Sequence, residues 1–161
     1  MSDLATKQGM RASIAVVGDV AIVQSQSGRG LLWDDPESFF ELVAIKSSDE
    51  VLGSAAKSAL ERSRFLDATS AREFGESAAA ERQSRLNELA AKLNLKGQRP
   101  LLKGMALCHV VSNDESFYVQ PTKHVKLDAW EGIPGENVLV PPNASAVEIG
   151  RSIRDALARC R

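Results

Sequence analysis

The side chains of this 161-residue sequence that could carry chemistry are two histidines, two cysteines, one serine three residues from a histidine, and a few clustered carboxylates. His109 stands in "ALCHVVS", next to Cys108 and three residues before Ser112, so a nucleophile–base pair of His109 with Cys108 or Ser112 is one reading. The flanking residues read as a strand with no strand-to-helix elbow, which favours a hydrogen-bonded structural histidine. His124, in "PTKHVK", reads as exposed. Cys108 and Cys160 are far apart and form no C-x-x-C pair, so they support neither a disulfide framework nor a zinc site and read as small buried hydrophobes. Asp34, Asp35 and Glu37 lack the glycine and distal glutamate of a calcium loop. Ser27-Gly28-Arg29-Gly30 lacks the remainder of a phosphate-binding loop and reads as the turn that ends a strand. Neither a metal nor another cofactor is expected.

Two short segments combine tryptophan with acid: Trp33-Asp34-Asp35, followed by Glu37, and Asp128-Ala129-Trp130-Glu131. An aromatic anchor ringed by carboxylates suits a basic protein partner. The other reading, core tryptophans beside a solvated acidic loop, stays open. A formal net charge of -1 argues against a protein that grips phosphate backbones. Six acids (Asp34, Asp35, Glu37, Glu41, Asp49, Glu50) face only Lys46 between Leu31 and Glu50, whereas Lys57 to Lys103 carries ten bases against six acids. The acids therefore gather where loops are expected.

Positioning these residues requires a fold, and 43% hydrophobic content over this length predicts one domain with a real core. No apolar run nears the roughly 20 residues that cross a bilayer, and "MSDLATKQGMRAS" is too polar for a secretory signal, so a cytosolic protein without a membrane partner is expected. Residues 1–10 read as a flexible lead-in. Arg11 to Val17 and Val20 to Gln26 read as a hairpin around Gly18-Asp19, and Phe39 to Ile45 as a third strand. Ser47-x-x-Glu50 has the form of a capping box, and Leu52, Ala55, Ala56, Ala59, Leu60 and Ser63 share a helical face. Residues 68–95 read as a central helix with a stripe of Leu86, Leu89, Ala90 and Leu93. From Ala106 the pattern of short strands restarts and closes on another helix.

That second helix repeats the first. "EVLGSAAKSALERSR", Glu50 to Arg64, returns as "VEIGRSIRDALARCR", Val147 to Arg161. An ungapped offset of 97 residues also pairs Trp33 with Trp130, Leu42 with Leu139, Ser48 with Ser145 and Gly53 with Gly150. The expected fold is thus a single α+β domain, 11–161, with a mostly antiparallel sheet covered by helices. Two hairpin-strand-helix units, 11–64 and 106–161, are joined by the helical segment 68–95. All three helices are expected on one face, and pseudo-symmetry is expected to bring the two tryptophan-acid segments near each other. Glycine weakens a helix by about 1 kcal/mol against alanine, so Gly53 and Gly150 predict a close contact.

The segments "SGRGLL", "SDEVLGSAAKSALERSRF" and "VEIGRSIRDALARC" together resemble the immunity proteins of bacterial contact-dependent growth inhibition (CDI) systems, over about Arg11 to Cys160. The resemblance implies a non-enzymatic, monomeric cytosolic protein that binds its cognate CdiA C-terminal toxin domain one to one. In such systems the toxin is often a nuclease, frequently one that cuts transfer RNA, so a basic toxin surface is implied and no direct contact with nucleic acid. Charge and position nominate Trp33, Asp34, Asp35, Glu37, Asp128, Trp130 and Glu131 as toxin-facing, with carboxylates standing in for phosphates. Two other readings compete: a small enzyme using His109 with Cys108 or Ser112, and a homodimeric module pairing through Arg82, Arg85 and Glu88 of the central helix.

Overall fold

The structure, a computed structural model, describes residues 3–161. Its opening hairpin joins β1 (Met10–Val17) to β2 (Val20–Arg29) across Gly18-Asp19, where the β-branched runs place it. Residues 3–8 of the expected flexible lead-in form a short helix, α1 (Asp3–Gln8). The Gln8 side chain ties it to the β2–β3 turn, bonding the Gly28 carbonyl at 3.3 Å and the Gly30 amide at 2.8 Å.

The third strand, β3 (Leu31–Ala44), starts eight residues earlier than its hydrophobic run. Trp33 pairs with Ser27, Asp34 with Gln26 and Asp35 with Ser25, and after a bulge Phe40 resumes with Gln24. The acidic segment expected as a loop is therefore largely strand, interrupted where Pro36 has no amide for the ladder. In the second half β4 (Ala106–Ser112) and β5 (Phe117–Lys126) repeat the hairpin. β6 (Ala129–Gly132) and β7 (Val138–Leu139) both pair with β5 and share the place that β3 fills alone. The register repeats too: Trp130 pairs with His124, Glu131 with Lys123 and Gly132 with Thr122. The antiparallel seam of β1 with β4 joins the halves into one sheet of order β3-β2-β1-β4-β5-β6.

Alternation along the strands feeds two cores on opposite faces. Ile14, Val23 and Val110 pack with α2 (Asp49–Glu61) and α5 (Ala146–Arg159). Ala15, Ile22 and Leu107 pack with α3 (Ala68–Lys92) and α4 (Gln98–Lys103). The expectation of three helices on one face is corrected: the repeated helices take one face and the central helix the other. Residues 64–66 make the crossing. Gly28 N donates to the Arg64 carbonyl at 3.1 Å and Leu66 N to the Gly28 carbonyl at 3.0 Å, so the chain slips past the end of the sheet beside β2. Asp67 then caps α3 on the far side by accepting from Ser70 N.

The repeated helices meet at their glycines. A Cβ on Gly53 would lie 1.7 Å from the Ala146 carbonyl oxygen, and one on Gly150 would lie 2.0 Å from that of Asp49. Ser48 caps α2, one residue later than the capping box suggested, while the reciprocal box forms in α5 between Ser145 and Glu148. The likeness extends beyond the helices. Ser63 accepts from Arg11 N at 3.1 Å and donates to the Gln26 carbonyl; its counterpart Cys160 donates to the Leu107 carbonyl at 3.3 Å. Arg161, counterpart of Arg64, docks on β5 through the Thr122 carbonyl at 3.1 Å and the His124 amide at 2.9 Å.

Candidate functional site

The second face is covered incompletely. α3 runs 25 residues and buries only Ala78 and Ala90, leaving between helix and sheet a groove of about 580 Å³. Trp33, Asp34, Glu37 and Phe40 line it from β3, Trp130 from β6, and Arg82 and Arg85 from the helix, over a floor that includes Ser13 and Gln24. Both tryptophans are half-buried. A Cβ on Gly75 would come 2.9 Å from the Trp33 indole nitrogen, so the helix rests against that ring because residue 75 has no side chain. Trp130 stacks on His124 with centroids 4.7 Å apart and donates to the Met105 carbonyl at 3.4 Å.

Trp33 and Trp130 stand on opposite edge strands, five strand spacings or about 24 Å apart across a flat sheet. The tryptophan-acid segments therefore do not pair directly as pseudo-symmetry suggested. Instead α3 gathers them: Arg85 donates to the Asp34 carbonyl at 3.5 Å and Arg82 to the Asp128 carbonyl at 3.2 Å. These arginines, with Glu88, form the face that the homodimer reading pairs with a second copy. All three turn toward the groove.

The nominated carboxylates have different fates. Asp34 keeps surface open to the groove, yet protein surrounds its carboxyl on most sides. Burial pushes its pKa above the usual range, against hydrogen bonds from Gln26 at 3.1 Å and Ser13 at 3.0 Å and the charges of Arg85 and Arg82. Asp35 is 1% exposed. Its burial alone would raise the pKa, but Arg64 at 2.9 Å, Ser27 at 2.6 Å and Ser38 at 2.7 Å donate to one oxygen and hold the carboxyl below its ordinary range. Asp35 thus belongs to the interior, which corrects its nomination as a contact residue. Glu37 is exposed at the groove, and Asp128 is exposed on the β5–β6 turn. Glu131 is exposed on the edge strand β6, where it pairs with its cross-strand neighbour Lys123 at 3.4 Å.

The nucleophile candidates are separated from their base. Cys108 is buried in the core under α2 and α5, and strand alternation sends His109 to the other face. Ser112 lies in phase with Cys108, also away from His109. Burial, then the charge of Arg11, lowers the His109 pKa to about 3, leaving a neutral imidazole. His124 is engaged with the Leu102 carbonyl at 3.0 Å. Among the described residues no three metal-ligating side chains converge, and no helix is long and apolar enough to cross a membrane.

Comparison with known proteins decides the family. The family model of the CDI immunity protein matches residues 10–160. The chain belongs to this family. A relative, immunity protein CdiI-YPIII of Yersinia pseudotuberculosis serotype O:3 (strain YPIII), is 30% identical over 175 residues, covering 93% of this chain and 94% of that one. A Neisseria meningitidis protein of unknown function superposes with a TM-score of 0.89 at 26% identity, over 96% of this chain and 98% of the other. A chain from a CdiA-CT/CdiI toxin and immunity complex of Yersinia pseudotuberculosis gives a TM-score of 0.79 at 26% identity, over 94% of this chain and 97% of that one. Sequence reasoning about this CDI immunity protein missed Ser13, Gln24 and Phe40 as groove residues. Alternation within the opening hairpin, which sends Ser13 and Gln24 to the face opposite Ile14 and Val23, was the available signal for the first two.

Proposed function

We propose that this CDI immunity protein protects the cytoplasm in which it resides by binding, one to one, the CdiA C-terminal toxin domain made with it. The toxin is a basic nuclease that cuts transfer RNA, and the immunity protein acts on it by occlusion rather than by chemistry of its own. The observation that carries the reading is the convergence of both tryptophan-acid segments on one groove, with Asp34 and Glu37 on its wall and Asp128 at its rim. A nuclease must present positive charge to phosphates, and carboxylates placed against it compete with substrate and steer association. The likeness to a chain of the Yersinia pseudotuberculosis CdiA-CT/CdiI complex supports a toxin domain as partner.

The test is isothermal titration of this chain with the toxin domain encoded beside its gene, at low and high salt. Tight binding that weakens with salt is expected. Glu37→Lys, Asp128→Lys and Glu131→Lys combined should weaken it at least about tenfold at low salt while the circular dichroism spectrum is unchanged. Full affinity in that folded triple variant would show that the toxin sits elsewhere. No binding by the parent protein would remove the proposed function.

A further inference from the structure

The offset that relates the two halves carries Ser63 onto Cys160 and Arg11 onto Cys108. In the first half the position-63 oxygen reaches the Arg11 amide, so the residue just past the repeated helix points into the sheet. The second half keeps that aim. Cys160 Sγ lies 3.3 Å from the Leu107 carbonyl oxygen, and that carbonyl belongs to the peptide whose nitrogen is that of Cys108. Peptide geometry therefore holds the Cys160 sulfur within about 6 Å of the Cys108 Cα. Both side chains also face the same way: Cys108 is in the core cluster under α2 and α5, and Cys160 packs against that cluster. Cys108 is fully buried, whereas Cys160 is only partly covered.

We propose that Cys108 and Cys160 form an internal dithiol site that a small-molecule disulfide closes into a bond fastening the end of α5 to β4 at the centre of the sheet. The partly exposed Cys160, as its thiolate, attacks the small disulfide, forming a mixed disulfide and releasing one thiolate. The Cys108 thiol loses its proton and attacks the Cys160 sulfur, expelling the second thiolate. In sum, two protein thiols become one disulfide, the reagent disulfide becomes two thiols, and the two protons pass to the departing thiolates. Burial raises the pKa of both thiols, so the Cys160 attack is slowed, and the second step, by the fully buried Cys108, is slower still and needs a brief opening of the chain end. The site stays reduced in a glutathione-buffered compartment and closes under oxidative load.

The test exposes the folded full chain to oxidised glutathione and follows intact mass. The expected product is lighter than the reduced protein by two hydrogen atoms, and a non-reducing peptide map joins the Cys108 and Cys160 peptides. Cys108→Ala should instead accumulate a glutathione adduct on Cys160, and Cys160→Ser, which restores the residue of the first half, should not react while folded. The closed form should melt several degrees higher and return to the reduced midpoint with dithiothreitol. A parent protein that stops at the same adduct as Cys108→Ala, or that reacts only in denaturant, would overturn the proposal.

Discussion

His109 gives the fold a pH dependence whose sign can be worked out. Its imidazole titrates near 6.5 in the unfolded chain and at about 3 in the folded one, so between those values the unfolded chain binds the extra proton. The contribution of His109 to stability is therefore complete above pH 6.5 and is lost as the pH falls toward 3. Urea midpoints at pH 7 and pH 4.5 should fall less for His109→Gln than for the parent; equal falls would place the imidazole in water. Asp34 and Asp35, one raised and one lowered, remain in both proteins and cancel from the comparison. The opposite fates of those neighbours were not legible in the sequence. Alternation says only that adjacent strand residues face opposite ways, and the bulge before Phe40 breaks the count from the hydrophobic run. The partners that make Asp35 internal, Ser27, Ser38 and Arg64, come from three separate segments. By contrast, the separation of Cys108 from His109 follows from the strand alone.

The elements themselves were largely readable, because apolar periodicity and turn residues are local. The repeated helices and the opening hairpin lie where their patterns put them, and the glycine contact followed from placing a poor helix former in two good helices. Its tightness makes a firm prediction. Gly53→Ala must push the backbones of α2 and α5 apart, which exceeds the roughly 1 kcal/mol that alanine gains in helix propensity. A net loss of about 3 kcal/mol in urea unfolding is expected. A neutral or stabilising result would show that the helices separate freely. The face taken by α3 was hidden. Its leucine stripe says that the helix packs, not against which side of a sheet, and the side is decided by hydrogen bonds of residues 64–66 at the end of β2. α4 and the strand character of Trp33 to Asp35 went unseen for a related reason: neither carries a periodic apolar signal of its own.

Across the molecule, the two halves share one sheet through β1 and β4 and one core through α2 and α5, so neither half is a separate folding unit. Each half holds one tryptophan, which makes this testable. With Trp33→Phe or Trp130→Phe, fluorescence from the remaining ring and far-ultraviolet circular dichroism should give superimposable urea curves. Separate transitions would mean that the halves melt independently. The repeat made this architecture legible from sequence, while the groove was not, since it is formed by the unrepeated α3 lying against β2 and β3. That helix also sets what the lineage can explore. With only Ala78 and Ala90 buried, most of its 25 positions are free of the core, and exchanges there carry small stability penalties. Mutations can accumulate along one wall of the groove at little cost to the frame of two repeated units, so the surface shown to the outside can diversify much faster than the fold beneath it.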